Sequence, residues 1–149
     1  MKVHRHKLPI SVLVVIFTPE LEVLLLERAD HFGYWQSVTG SQQEGETLTE
    51  TAVREVREET GIDATAYLLS DWGVQNRFEI FSEWRHRYAE GVTHNIEHVF
   101  GLRVPAPLPV AVSLREHLGY LWTNYEEAAN KVFSWSNAKA LRMLPDMLA

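Results

Sequence analysis

A chain of 149 residues suits one domain, taken here as 1–149, and can bury about two thirds of its unfolded surface. Its 46% apolar content is ordinary for a globular fold, and a formal net charge of −6 disfavours a nucleic-acid partner or an RNA-binding scaffold. The absence of cysteine excludes a disulfide framework and a Cys-based zinc site.

The N-terminal stretch Met1 to Lys7 is basic, and the apolar run Ile10 to Phe17 follows it. That run is too short to span a bilayer. It also lacks the Ala-x-Ala-type site of a secretory leader, so a soluble cytoplasmic protein with no membrane partner is expected. Ile10 to Phe17 reads as a buried strand and Val23 to Leu26 as a second, with a turn at Thr18-Pro19-Glu20 between them. Trp35 to Thr39 is a short extended segment leading into Gly40. Thr47 and Glu50 have capping-box spacing, and Gly61 suits a left-handed C-cap, which predicts a helix from Thr47 to Thr60. Leu48, Ala52 and Val56 repeat at i, i+4 and i+8 and face the core. Strand-like segments follow near Ala66–Gln75, Arg77–Phe81 and His98–Val104, then an exposed connection through Pro105, Pro107 and Pro109. A short strand is expected at Gly119–Trp122. A helix opened by the Thr123/Glu126 pair runs to Phe133, and another covers Ser136–Met147. Strands and helices in this mixed order predict an α+β or mixed-sheet domain.

The helix beginning at Thr47 carries an unusual charge pattern. At about 100° per residue, Glu58 lies about 60° to one side of Glu55 and Glu59 about 40° to the other. Like charges at these spacings each cost a helix a few tenths of a kcal/mol. A cation opposite them offsets the cost, and a hard divalent ion with oxygen ligands is the simplest. Glu55 and Glu59, one turn apart, can share a Mg²⁺ that keeps some waters and also touches phosphate oxygens, with Mn²⁺ as the alternative ion.

Gly40, Glu46, Arg54, Glu55, Val56, Glu58, Glu59, Gly61 and Ile62 fill every fixed position of G-x5-E-x7-R-E-U-x-E-E-x-G-U, where U is aliphatic. In this the chain resembles the Nudix hydrolase family. The resemblance implies a mixed β-sheet packed between helices, an α/β/α sandwich, and hydrolysis of a diphosphate linkage. It assigns the catalytic metals to Glu55, Glu58 and Glu59. It makes Arg54 an orienting partner of Glu46 and of those carboxylates within the catalytic set. Gly40 frees the loop for a close backbone approach, with its carbonyl available to the metal. Family members often add a glutamate from the region holding Glu116, so the general base stays open between Glu58 and Glu116.

The likeness continues outside the box, in colinear order, through Lys7-x-Pro9-x-Ser11, Trp35 to Gly40, Phe78 to Ser82, Arg85 to Tyr88, Gly91 to Thr93, Glu116 to Leu118 and Ser134 to Asn137. It points to family members acting on a pterin triphosphate. Carried over by position, Lys7, Arg28, Thr39, Phe78, Glu79, Ile80, Phe81 and Ser134 form the substrate wall. The residues themselves agree: Trp35, Phe78, Phe81 or Trp135 can face a flat ring, Thr39 or Ser134 can read its edge, and Lys7 and Arg28 can meet phosphates. Leu8 is a departure, apolar where a second base would help. A nucleoside triphosphate or dinucleoside polyphosphate is the alternative small-molecule substrate. A binding module without catalysis would normally lack part of the glutamate set. His86, His94, His98 and His117 fit no HExxH-type motif and are expected at the surface or hydrogen-bonded. Monomer and homodimer are both compatible with the sequence.

Overall fold

The structure, a computed structural model, describes residues 6–148, so Met1 to Arg5 of the basic N-terminus lie outside the described residues. The apolar run Ile10–Phe17 forms strand β1 and is almost wholly buried, because both of its faces are covered. Val12, Val14 and Ile16 enter one core with Leu24, Leu26, Val38, Phe100 and Leu102. Leu13, Val15 and Phe17 enter a second with Val23, Leu25, Val99, Ala128 and Leu141. A half-solvated strand alternates apolar and polar residues; a doubly covered one has no polar phase.

The other elements are β2 (Glu22–Arg28), β3 (Trp35–Gln36), β4 (Val38–Ser41), α1 (Leu48–Thr60), β5 (Leu68–Glu79), β6 (His94–Arg103), β7 (His117–Asn124), α2 (Tyr125–Lys131), α3 (Trp135–Arg142) and α4 (Leu144–Met147). The sheet runs β3-β2-β1-β6-β5, with β4 also paired to β1 and β7 to β2. β1 and β6 are parallel and the other pairs antiparallel. α1 covers the first core through Ala52 and Val56, and α2, α3 and α4 cover the second through Ala128, Ala129, Ala140, Leu141 and Leu144. The expected mixed sheet between helix layers is therefore the architecture of the chain. Among the described residues no helix is long and apolar enough to cross a membrane.

Both ends of α1 form as their local chemistry dictates. Thr47 and Glu50 close a reciprocal capping box, and Gly61 caps the C-terminus in the left-handed region at φ 77°, its N–H donating to the Arg57 carbonyl. A Cβ at Gly61 would meet only the Ala111 methyl at 3.6 Å, so Gly61→Ala strains the backbone without a clash. A loss of about 1 kcal/mol is expected in denaturant unfolding, with the denaturant slope unchanged.

Elsewhere tertiary context overrides the sequence pattern. The two segments expected around residues 66–81 are one strand, β5, whose register shifts between Asp71 and Val74. Phe81 leaves the sheet and starts a 3-10 turn over Ser82–Arg87. β6 begins at His94 rather than His98. The N-cap of α2 is Asn124, accepting from the Glu126 N–H, while the Thr123 hydroxyl bonds Glu127. The helix expected over 136–147 is two, broken at Met143, since Pro145 has no N–H with which to continue the ladder.

Candidate active site

β1 places Val12 opposite Gly40 on β4, and the chain then turns into α1, which lays one face along that edge of the sheet. Arg54 ties turn and helix together. Its Nε and Nη2 donate to the Glu46 carboxylate at 2.6 and 3.0 Å. Nη1 reaches Glu55 at 2.7 Å and Glu58 at 3.1 Å, and Nη2 also reaches the Ser41 carbonyl at 3.0 Å. The guanidinium holds Glu46 down to about 2 and is itself held above its ordinary value by Glu46. Second-sphere bracing of this kind fixes carboxylates before a ligand arrives.

Glu55 lies against the backbone of Gly40. A Cβ built on Gly40 would fall inside the Glu55 carboxyl group, so only glycine leaves this cradle open. One turn on, Glu59 is 3% exposed, and neither of its carboxyl oxygens has a hydrogen-bond partner. Burial raises both carboxyls, Glu59 well above the ordinary range, with the proximity of Glu55 adding to its rise. Two such groups at close quarters resist ionising together in the absence of a cation. His117, expected at the surface or hydrogen-bonded, is buried here at 4% exposure, its Nε2 3.5 Å from Glu59 Oε1. Burial, and then Arg28, bring its imidazole down to about 4. The pair is thus a neutral ring beside a carboxyl and not an ion pair.

These groups line a cavity of about 1130 Å³ that also takes in Glu58, Glu116, Lys7, Arg28, Arg87 and Arg115. Glu116 is exposed at its edge. Among the described residues no cluster of three acidic or histidine side chains is already gathered as a metal cage; Glu55 and Glu58 are both paired with Arg54. The fit to a hard cation rests on the orphaned oxygens of Glu59, the open cradle at Gly40 and an all-oxygen donor set.

A second cavity of about 340 Å³ shares Lys7, Arg28, Gln36, Thr39, Gly40, Ser41 and Arg87 with the first and continues from it. Phe78, Glu79, Ile80, Phe81 and Ser134 all line it. Phe81 stacks on Trp84 at 5.1 Å, and Phe133 meets both rings edge-on. Trp135 lies on its lining, 57% exposed. Trp35 does not; it packs into the second core under Lys131. Glu79 is exposed and paired with Arg85. Arg28 grips Asp30 with two hydrogen bonds, donates to Gln36, and lies 4.5 Å over the Trp84 ring. Thr39 donates to the Val12 carbonyl at 2.9 Å.

Several lining groups escape the sequence reading: Trp84, Arg87, Phe133, His117, Asn95 and Glu97. Arg87 stands in a stretch that carries the family likeness, but without an assigned role. Asn95 and Glu97 lie on β6 ahead of where the strand was expected to begin, so the polar residues on its buried phase went unseen. Glu97 is 4% exposed, and burial pushes its carboxyl up to about 7 against Ser136 and Asn76. The folded state then keeps a proton that the unfolded chain gives up near pH 4.5. The resulting stability is present below that pH and disappears as pH rises through 7. In metal-free protein, thermal melts of wild type against Glu97→Gln between pH 5 and 8 should diverge in the variant's favour by on the order of 3 kcal/mol.

Residues 7–144 match the NUDIX domain. The chain is 46% identical over 144 residues, 95% of each chain, to the dihydroneopterin triphosphate diphosphatase of Escherichia coli strain K12. It is 40% identical over 136 residues to the protein of that name from Haemophilus influenzae, covering 89% of this chain and 84% of the other. The solved structure of the E. coli dihydroneopterin triphosphate pyrophosphohydrolase superposes with a TM-score of 0.87 at 45% identity, over 93% of this chain and 95% of that one. With its glutamate helix braced by Arg54, the chain belongs to the Nudix hydrolase family.

Proposed function

We propose that the protein hydrolyses dihydroneopterin triphosphate to dihydroneopterin monophosphate and pyrophosphate, as a cytoplasmic step of folate synthesis. The observation that carries this reading is the confluence of two unlike cavities. One is lined by carboxylates and cations, and the other is walled by aromatic rings and polar groups. A flat heterocycle bearing a triphosphate has the same two-part character. The relatives reported above support the choice of ring.

In this reading Glu55, Glu59 and the Gly40 carbonyl would hold Mg²⁺, or Mn²⁺ in its place, with Glu58 and Glu116 available to complete the donor set at the cavity. When bound, the ion neutralises phosphate oxygens and lowers the pKa of a coordinated water. Arg54 keeps Glu55 and Glu58 in position and touches no substrate atom. Lys7 and Arg28, with Arg87 beside them, receive the negative charge of the triphosphate. Glu116 takes the proton of the attacking water: among the described residues no ion pair engages it, whereas Arg54 holds Glu58 at 3.1 Å. Phe78, Ile80, Phe81 and Ser134 line the chamber that receives the ring, with Thr39 and Glu79 at its borders.

Pyrophosphate release, measured across pterin and nucleoside triphosphates at saturating Mg²⁺, tests the assignment. The expected result is a kcat/KM at least tenfold higher for dihydroneopterin triphosphate than for any nucleotide. A stronger preference for a nucleotide would replace the pterin reading with a nucleotide one.

A further inference from the structure

The second cavity has a floor that the aromatic wall does not explain. Asn95 and Glu97 stand two apart on β6, both buried, both lining that cavity. Residues i and i+2 of a strand share a face about 6.6 Å apart along the chain. The Asn95 amide nitrogen donates to the Ser11 hydroxyl at 2.7 Å, while its carbonyl oxygen is buried without a partner. Glu97 Oε1 is likewise unpartnered. Among the described residues no ion pair engages Glu97; the neighbouring Lys139 donates instead to Asn76, at 3.1 Å. Ser136 and Asn76 stand against this carboxyl, but a buried carboxylate with one oxygen unsatisfied is still costly. A chain under no constraint but stability would place an apolar side chain at position 97, two residues before Val99 and opposite Ser11 on β1 and Asn76 on β5.

Two orphaned acceptors at the end of an aromatic-walled slot require a ligand that presents donors along the edge of a flat ring. We propose that Glu97 is the specificity-determining residue of this site, accepting from the ring N–H and the adjacent exocyclic amino group of a 2-amino-4-oxopyrimidine ring, with Asn95 Oδ1 as a supplementary acceptor. Two parallel N–H···O bonds to one carboxylate form the bidentate arrangement that makes such contacts strong and directional. The inference rests on the pterin reading in taking the ring to enter this second cavity. Its chemistry is wider, because a guanine base carries the same pair of donors. Adenine does not: its edge places an acceptor beside its amino group.

The test is the set of kcat/KM values for dihydroneopterin triphosphate, GTP and ATP, in wild type and in Glu97→Gln, at pH 8, where the wild-type carboxyl is ionised. Glutamine keeps the shape of the side chain but turns one acceptor into a donor, which opposes a donor on the ring. The variant should lose about 100-fold on the pterin and guanine substrates, chiefly through KM, with ATP unchanged or improved. Glu97→Asp, which keeps both acceptors on a shorter arm, should recover part of the loss. A melting temperature at or above wild type shows that the variant is folded. If wild type ignores the pterin but takes GTP, and Glu97→Gln removes that preference, the pterin reading falls while the role of Glu97 stands. A folded Glu97→Gln protein that keeps wild-type discrimination among the three substrates overturns the role, as does a wild type that prefers ATP to both of the others.

Discussion

Glu59→Gln is expected to reduce kcat by about 10³-fold or more at saturating Mg²⁺, because metal-borne stabilisation of phosphoryl charge amounts to several kcal/mol. The expectation follows from the state of the side chain. Glu59 is buried, both of its oxygens are unpartnered, and its neighbours on that face are the Glu55 carboxyl and a neutral imidazole. In the free protein such a group is a liability, and only a cation makes it an asset. Removing the buried ionisable group should therefore raise the melting temperature of the metal-free protein while it removes turnover. Steady-state kinetics paired with thermal melts reads both effects. Undiminished turnover at saturating Mg²⁺ would mean that Glu59 holds no metal, whatever happened to stability.

The second large effect is expected at Gly40. Its φ is not in the left-handed region, and no turn there demands glycine. What demands it is space: the added methyl of Gly40→Ala would occupy the position of the Glu55 carboxyl. Arg54 opposes any escape, since it holds Glu55 at 2.7 Å while anchored to Glu46 and to the Ser41 carbonyl. The variant therefore either swings Glu55 out of the cradle or pushes β4 away from α1. We expect kcat/KM to fall about 100-fold, since displacement of a positioned group by about 1 Å costs that much. The cores on both sides of the sheet remain intact, so stability should fall by no more than about 1–3 kcal/mol. Paired kinetics and denaturant unfolding check this. Wild-type activity in Gly40→Ala would show that the Glu55 position is not needed for catalysis.

How much of this was legible in the sequence depends on where the determining contacts lie. α1 was readable to the residue because its caps, Thr47 with Glu50 and Gly61, are local devices. The doubly covered β1 was readable because its apolar run has no polar phase. α2 was misplaced by one position, since Asn124 and Thr123 both offer a capping oxygen and the end of β7 selects between them. The break at Met143 was signalled by Pro145, which the apolar spacing of Ala140, Leu141 and Leu144 obscured. The carboxylates of the first cavity are close in sequence, so helical periodicity alone brought Glu55, Glu58 and Glu59 together. The second cavity draws on β5, β6, the 3-10 turn and the start of α3, and no short-range pattern links those. Trp35 was misjudged for this reason, and Trp84 and Phe133 were missed. Glu97 left a fainter signal, a carboxylate in phase with Asn95 and Val99 on a strand whose alternate residues are buried.

The central claim is that the acidic face of α1 exists to hold divalent cations beside a polyphosphate. Electron paramagnetic resonance of Mn²⁺ titrated into the substrate-free protein tests it most directly, because the hexaaqua ion loses its sharp signal on binding. At least one bound ion per chain is expected, weakened at least tenfold in Glu59→Gln and displaced by excess Mg²⁺. A full free-ion signal in the presence of wild-type protein at concentrations that support its turnover would contradict it.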